Sequence, residues 1–187
     1  MMKSDSLFKK RFRIPSTRLL SWDYSSSGYY FVTICTHQKK EYFGKINNRK
    51  MELSAMGKIA QTYWKEIPKH FPFVILDESV IMPNHVHGIV IITNQKHTTN
   101  DRILHLCRDG ACPVSTHKTN VLGNIIGSFK SVVTKCANKN RIPFHWQSRY
   151  YDHIIRSENE LHSIREYIHY NPLKWEEDEE NPMNTIN

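Results

Sequence analysis

His85 and His87 stand two residues apart in the run Pro83-Asn84-His85-Val86-His87-Gly88. Side chains of a β-strand alternate between faces, so positions i and i+2 look the same way. A strand with this spacing offers two neutral imidazole nitrogens to one divalent cation. Two half-buried histidines satisfied by hydrogen bonds would leave the same pattern, and the pair alone does not separate the two readings. Further polar chemistry has to converge on the same point.

The second candidate lies eighty residues on. Tyr167 and Asn171 are four residues apart, which on a helix is one turn, so both can face one target. The helix that carries them opens on Ser157-Glu158-Asn159-Glu160, a capping box in which Ser157 accepts from the Glu160 amide while Glu160 reaches back. Leu161, Ile164 and Ile168 form its apolar stripe, Tyr167 and Asn171 lie along the edge of that stripe, and Tyr170 points nearly the opposite way. Pro172 ends the helix at Asn171 and frees that amide to turn toward a ligand position. A border tyrosine on an amphipathic helix would read the same by itself.

The elements that position these groups follow from periodicity. Phe73-Val74-Ile75-Leu76 and Val80-Ile81-Met82 before the histidines, and Ile89-Val90-Ile91-Ile92 after them, are apolar and β-branched. With turn signals at Asp77-Glu78 and Pro83-Asn84, they predict two antiparallel strands. Gly28 opens Tyr29 to Thr36, a further central strand. After a turn from Gly44 to Arg49, residues 54 to 67 place Met56, Ile59, Ala60, Tyr63, Trp64 and Ile67 at helical spacing, with Ser54 as cap and Pro68 as stop. Leu122, Ile125, Ile126, Phe129, Val132 and Val133 mark a second helix from Val121. Residues 146 to 155 read as extended, and 157 to 171 as the third helix. The order β, α, β, β, α, β, α is that of an α+β, ferredoxin-like antiparallel sheet with helices over one face.

At 187 residues the chain has room for one domain with a proper core. A net charge of +8, with His neutral, favours a polyanionic partner, nucleic acid above all. No apolar stretch approaches the ~20 residues that span a bilayer, and the N-terminus lacks the apolar centre of a signal peptide, so a cytoplasmic protein without membrane contact is expected. Cys35, Cys107, Cys112 and Cys136 are irregularly spaced and read as reduced thiols; Cys107 and Cys112 near His105 and His117 make only a weak zinc pattern. Residues 1–20 form a basic arm with Lys9, Lys10, Arg11, Arg13 and Arg18, which either lies on phosphate or is a solvated tail. Residues 21–176 make the domain, interrupted at 95–118 by an aperiodic stretch expected to be a mobile insertion, and 177–187 a polar tail.

Five segments, taken in order, resemble one family. They are Tyr30-Phe31-Val32-Thr33-Ile34-Cys35-Thr36; Ile81-Met82-Pro83-Asn84-His85-Val86-His87-Gly88; Gly127-Ser128-Phe129-Lys130-Ser131; Trp146-Gln147-Ser148-Arg149-Tyr150-Tyr151-Asp152-His153-Ile154-Ile155-Arg156; and Arg165-Glu166-Tyr167-Ile168-His169-Tyr170-Asn171-Pro172-Leu173-Lys174-Trp175. Together they are similar to the REP-associated tyrosine transposases, within the IS200-like, single-tyrosine HUH nuclease and transposase group. The resemblance implies the HUH nuclease fold, His85 and His87 as metal ligands, Asn171 as a further ligand one turn beyond the nucleophile, and Tyr167 as that nucleophile. The cofactor it implies is Mg²⁺ or Mn²⁺, and the partner is single-stranded or hairpin DNA. The 95–118 stretch falls where the family varies, and no catalytic role is carried onto it.

For that DNA, Arg11 and Arg13 of the arm with Lys130, Lys135, Arg141, Arg149 and Arg156 are expected to follow phosphates, while Trp146, Tyr150 and Tyr151 offer rings to bases. Ordinary surface charge or core packing is the competing reading for each. A phenol has a pKa near ~10, so a base or the cation must help take its proton; His153 and His169 are the available imidazoles. Two other functions stay open: a hairpin-binding protein without catalysis, and a metal-dependent nucleotide hydrolase that uses water. The sequence leaves monomer and homodimer equally open.

Overall fold

The computed structural model describes the backbone of 7–8 and 11–12, and residues 26–93, 120–178 and 180–185. Within the N-terminal arm, β1 (Leu7–Phe8) and β2 (Arg11–Phe12) pair antiparallel. The domain then runs β3 (Gly28–Cys35), β4 (Gly44–Asn47), β5 (Lys50–Leu53), α1 (Ala55–His70), β6 (Val74–Ile81), β7 (His85–Ile92), α2 (Val121–Lys139), β8 (Tyr151–Ile155) and α3 (Glu158–Tyr170). Four strands form one antiparallel sheet in the order β6-β7-β3-β8. The α+β class with an antiparallel sheet, expected from the element order, is the class observed. Among the described residues no helix is long and apolar enough to cross a membrane.

The placement of every helix over one face needs correcting. Tyr30, Val32 and Ile34 of β3 and Val86, Val90 and Ile92 of β7 pack in one core with Ala60 and Trp64 of α1 and Ile125 and Phe129 of α2. The alternate residues Phe31 and Ile89, with Ile155 of β8, form a second core with Leu161 and Ile168 of α3. So α1 and α2 cover one face, and α3 covers the other. The cause is strand parity: His85 and His87 belong to the set of Phe31 and Ile89, so a helix that brings a tyrosine to them must lie on their side.

Four local expectations are also revised. Asp77-Glu78 does not interrupt a strand; β6 continues through it with a bulge between Leu76 and Ser79. One extra residue reverses the parity, so Val74 and Ile81, seven positions apart, both reach the α1/α2 core. Asp77 holds the bulge by accepting from the Glu78 amide at 2.7 Å, and Arg165 of α3 donates to its carboxylate at 2.6 Å. The Gly44 to Arg49 turn is part of the β4/β5 hairpin, closed by Asn48 and Arg49 at φ 49° and 61°. Ser54 caps α1 as expected, accepting from the Gly57 amide at 3.1 Å, but Pro68 lies inside the helix. In the last turn its missing N–H forfeits a single bond, which the helix tolerates. Of residues 146 to 155, only Tyr151–Ile155 is strand, while Trp146 makes an isolated bridge with Thr36.

Past α3 the chain stays against the domain beyond residue 176, where a polar tail was expected: Asp178 and Asn181 are buried. It continues in 3-10 turns over Asn171–Glu177 and Pro182–Thr185. Asn171 itself keeps helical backbone angles. Trp175 is buried with its ring 6.0 Å from that of His85, so this segment roofs the end of β7 where the histidines lie. Cys107, Cys112, His105, His117, Arg13 and the 95–118 stretch fall outside the described residues.

Candidate functional site

The register of β7 against β3 sets Cys35 opposite His85 and Thr33 opposite His87. Both imidazoles are almost fully buried, at 0% and 2% exposure, with ring centroids 4.3 Å apart. Asn84 fixes the first. Its Nδ2 donates to the carbonyls of Lys39 (3.1 Å) and Glu180 (2.7 Å), which leaves Oδ1 as acceptor for His85 Nδ1 at 2.8 Å. The proton therefore sits on Nδ1, and the buried Nε2 keeps its lone pair with no partner. This is how an imidazole ligand is prepared from behind.

His87 is held in the same sense. Its Nδ1 lies 2.9 Å from Thr33 Oγ1 and its Nε2 lies 3.3 Å from the Tyr167 hydroxyl. With the phenol donating to Nε2, Nδ1 carries the proton and donates to Thr33. Burial, helped by the Lys39 ammonium, pushes His85 down to about 3. Burial, then the neighbouring His85, holds His87 well below the ordinary imidazole value. Both stay neutral at physiological pH, the form that binds metal.

Tyr167 arrives from α3. Ser157 caps that helix by accepting from the Glu160 amide at 3.2 Å. Glu160 reaches one residue beyond the expected box, to the Arg156 amide (2.8 Å), and also holds His153 (2.6 Å). Leu161 and Ile168 are buried, while Tyr167 is 47% exposed. Phe31 meets its ring edge-on at 6.1 Å, so the phenol stands on an apolar floor with one edge to solvent.

Asn171 also comes to the site. It is buried, its Nδ2 donates to Asp178 Oδ2 at 2.9 Å, and its Oδ1 has no partner. Asp178, from the segment expected to be a polar tail, lies with the histidines: ligand atoms of His85, His87 and Asp178 fall within 4.8 Å of one another. That group could hold a metal ion, and the orphaned His85 Nε2 and Asn171 Oδ1 fit one. Sequence reasoning missed Asp178. It belongs to Glu176-Glu177-Asp178-Glu179-Glu180, where spacing does not mark one carboxylate for burial.

The residues expected on DNA divide. Lys130 donates to the carbonyls of Gln147 (2.6 Å) and Arg149 (3.3 Å), so it ties down the segment before β8. Trp146 donates from Nε1 to Lys130 O at 3.1 Å and packs, tilted or edge-on, against Phe43, Phe129 and Phe144 at the border of the core. Tyr150 also packs against the α1/α2 core. Tyr151 has the other parity: it is half exposed and meets Phe31 edge-on at 6.4 Å, on the face of Tyr167. Lys135, Arg141, Arg149 and Arg156 are exposed, and Lys130, Lys135 and Trp146 line a shallow groove with Gly127. Arg11 is in β2. His169 lies 3.6 Å from Glu78.

No family model matches the chain. An uncharacterized protein of Haemophilus influenzae is 42% identical over 165 residues, covering 88% of this chain and 91% of that protein. The "Putative REP-associated tyrosine transposase" of the same organism is 26% identical over 157 residues, covering 81% of this chain and 74% of that one. Among solved structures, that of a REP-associated tyrosine transposase bound to a REP hairpin aligns with a TM-score of 0.54 at 15% identity, covering 87% of this chain and 74% of the other. At that identity the structural likeness is one of fold.

Proposed function

We propose that this chain, which belongs to the family of REP-associated tyrosine transposases, nicks and rejoins single-stranded DNA beside hairpins through a transient Tyr167–phosphate bond. The observation that carries the proposal is the Tyr167 hydroxyl 3.3 Å from Nε2 of the buried His87. A nucleophile from one end of the chain thereby meets the ligand pair from its middle.

A phosphodiester resists attack because its oxygens repel nucleophiles and its leaving alkoxide is poor. His85 and His87 with the Asn171 carbonyl would hold Mg²⁺ or Mn²⁺, whose charge offsets that of the phosphate oxygens. Tyr167 oxygen bonds to phosphorus as the bond from phosphorus to the 3′ oxygen breaks. The phenol gives up its proton and the departing 3′ oxygen gains one. The products are a 5′-phosphotyrosine and a free 3′-hydroxyl, and attack by another 3′-hydroxyl reverses the step and joins strands without hydrolysis. Phe31 and Tyr151 give a flexible strand an apolar and aromatic surface beside the nucleophile, and the basic groups supply phosphate contacts. The relative's structure with a bound REP hairpin supports a hairpin as the landmark for this chain. The setting would be the cytosol.

Incubating the protein with hairpin-bearing single strands and Mn²⁺ tests the reading. A covalent protein–DNA band, absent in Tyr167→Phe, is the expected result. Cleavage without a covalent band would mean a water-using hydrolase, and binding without cleavage a silent hairpin binder; either outcome overturns the proposal.

A further inference from the structure

We infer that Asp178 is a metal ligand, and that Asn84 is the bracket that places it and His85 together. The inference rests on the metal-dependent reading above and adds to it an oxygen donor from beyond the third helix.

Asp178 is 8% exposed. Among the described residues no lysine or arginine pairs with it. Its Oδ2 accepts from Asn171 and its Oδ1 from the Glu180 amide at 2.7 Å. Two neutral donors do not offset the cost of burying a full negative charge, whereas a divalent cation does. The neighbours are those a cation needs. Donor atoms around one small divalent ion at about 2.1 Å stand about 3 to 4 Å from each other, and the His85, His87 and Asp178 atoms already lie within 4.8 Å. The carboxylate and amide oxygens suit Mn²⁺ or Mg²⁺, and the two imidazoles favour Mn²⁺ of that pair.

Asp178 also aims its neighbour. A carboxylate can only accept, so it claims the amide nitrogen of Asn171 and turns the carbonyl oxygen away, where that oxygen has no partner. Asn84 does the corresponding work on the strand. One amide accepts from His85 Nδ1 and donates to Glu180 O, two residues past Asp178. The Lys39 ammonium adds an ion pair to Glu180 at 3.4 Å. The His85 lone pair and the turn that carries Asp178 are thus fixed by one side chain.

Titration of the full chain with Mn²⁺, following free Mn²⁺ by electron paramagnetic resonance, separates this inference from the reading beneath it. Asp178→Asn is expected to bind Mn²⁺ at least ~10-fold more weakly than the parent and to melt within a few degrees of it in EDTA. If Asp178→Asn binds within twofold of the parent while His85→Ala does not bind, the histidine site stands and the Asp178 ligand falls. If the parent does not bind Mn²⁺, both fall. Double resonance on Mn²⁺-loaded parent protein labelled with ¹³C-aspartate needs no variant to fold. A directly coordinated carboxylate carbon is expected, and its absence overturns the assignment.

Discussion

The Tyr167 hydroxyl and His87 Nε2 are 3.3 Å apart, with their rings 5.2 Å centre to centre. That nitrogen has one lone pair, so the phenol's hydrogen bond and a metal bond exclude one another. At 3.3 Å the bond is long for a hydroxyl donor, and the half-exposed phenol gives it up at little cost. The arrangement keeps the imidazole in one tautomer and holds the phenol oxygen beside the nitrogen proposed as a metal ligand.

Removing that oxygen separates chemistry from metal binding. Tyr167→Phe is expected to lose covalent DNA adduct by more than about a thousandfold, because no other group replaces a missing nucleophile. Its Mn²⁺ affinity is expected to equal the parent's or exceed it by a few-fold, since a competitor for His87 Nε2 has gone. Gel assay of the adduct and Mn²⁺ titration of the same preparation check the two halves. A variant that loses both would show that the phenol itself helps hold the metal.

Acid should destabilise the protein through the same imidazoles. An unfolded histidine takes up its proton near ~6.5, whereas burial pushes His85 down to about 3 and His87 well below the ordinary value. The unfolded chain then binds more protons below ~6.5, so stability is full above that pH. It falls by about 1.4 kcal/mol per unit for each fully shifted imidazole as the pH drops toward the folded values. Melting temperatures in EDTA between pH 7.5 and 5 should decline, and a His85→Gln/His87→Gln variant should flatten that slope. A parent curve with no decline would mean that the site opens to water.

What could be read from the chain was what two periodicities carry. Alternation paired His85 with His87, and the helical turn paired Tyr167 with Asn171. The side on which α3 packs was implicit in the shared parity of Phe31, His85 and His87, but it depends on tertiary pairing that no local pattern records. The bulge at Asp77 looked like a turn because Asp and Glu disfavour strands; Arg165, 88 residues away in sequence, reverses that preference. The β4/β5 hairpin was hidden because Asn48-Arg49 lacks the glycine that usually marks such a turn. Asp178 was invisible among four glutamates, since what singles it out is the Asn171 amide at the end of α3 and the tie of the Glu180 carbonyl to Asn84, 96 residues away, which no local spacing records.

Two lysines of α2 are expected to behave differently although both are basic residues of the same groove. Lys130 is committed to the Gln147 and Arg149 carbonyls, and burial pulls its ammonium below the usual lysine value. Lys130→Ala should therefore lower the melting temperature by loosening the segment that leads into β8. Lys135 is exposed, and Lys135→Ala should leave melting unchanged while weakening hairpin DNA binding and reducing the slope of log affinity against log salt by about one. Salt-titrated binding assays on both variants decide it; an unchanged slope in Lys135→Ala removes that residue from the DNA surface.

Gly88 follows His87 in β7, and the sheet needs it bare. A Cβ built there would lie 2.3 Å from Trp64 Cζ2, and Trp64 is buried and meets Phe129 edge-on at 5.3 Å. The indole is a rigid ring buried in the core, so ring and strand must give against each other. Alanine would ordinarily steady a strand by about 0.5–1 kcal/mol over glycine, but overpacking a filled core costs about 1–3 kcal/mol. The balance favours net loss. Gly88→Ala should melt several degrees lower and, because the displaced strand carries His87, bind Mn²⁺ more weakly. Adding Trp64→Leu opens the space the methyl needs, so the alanine's penalty should shrink in that background, a coupling that a double-mutant cycle of melting temperatures reads directly. If the penalty is the same with and without the indole, the clash is not its cause and the tie between Trp64 and the histidine strand is wrong.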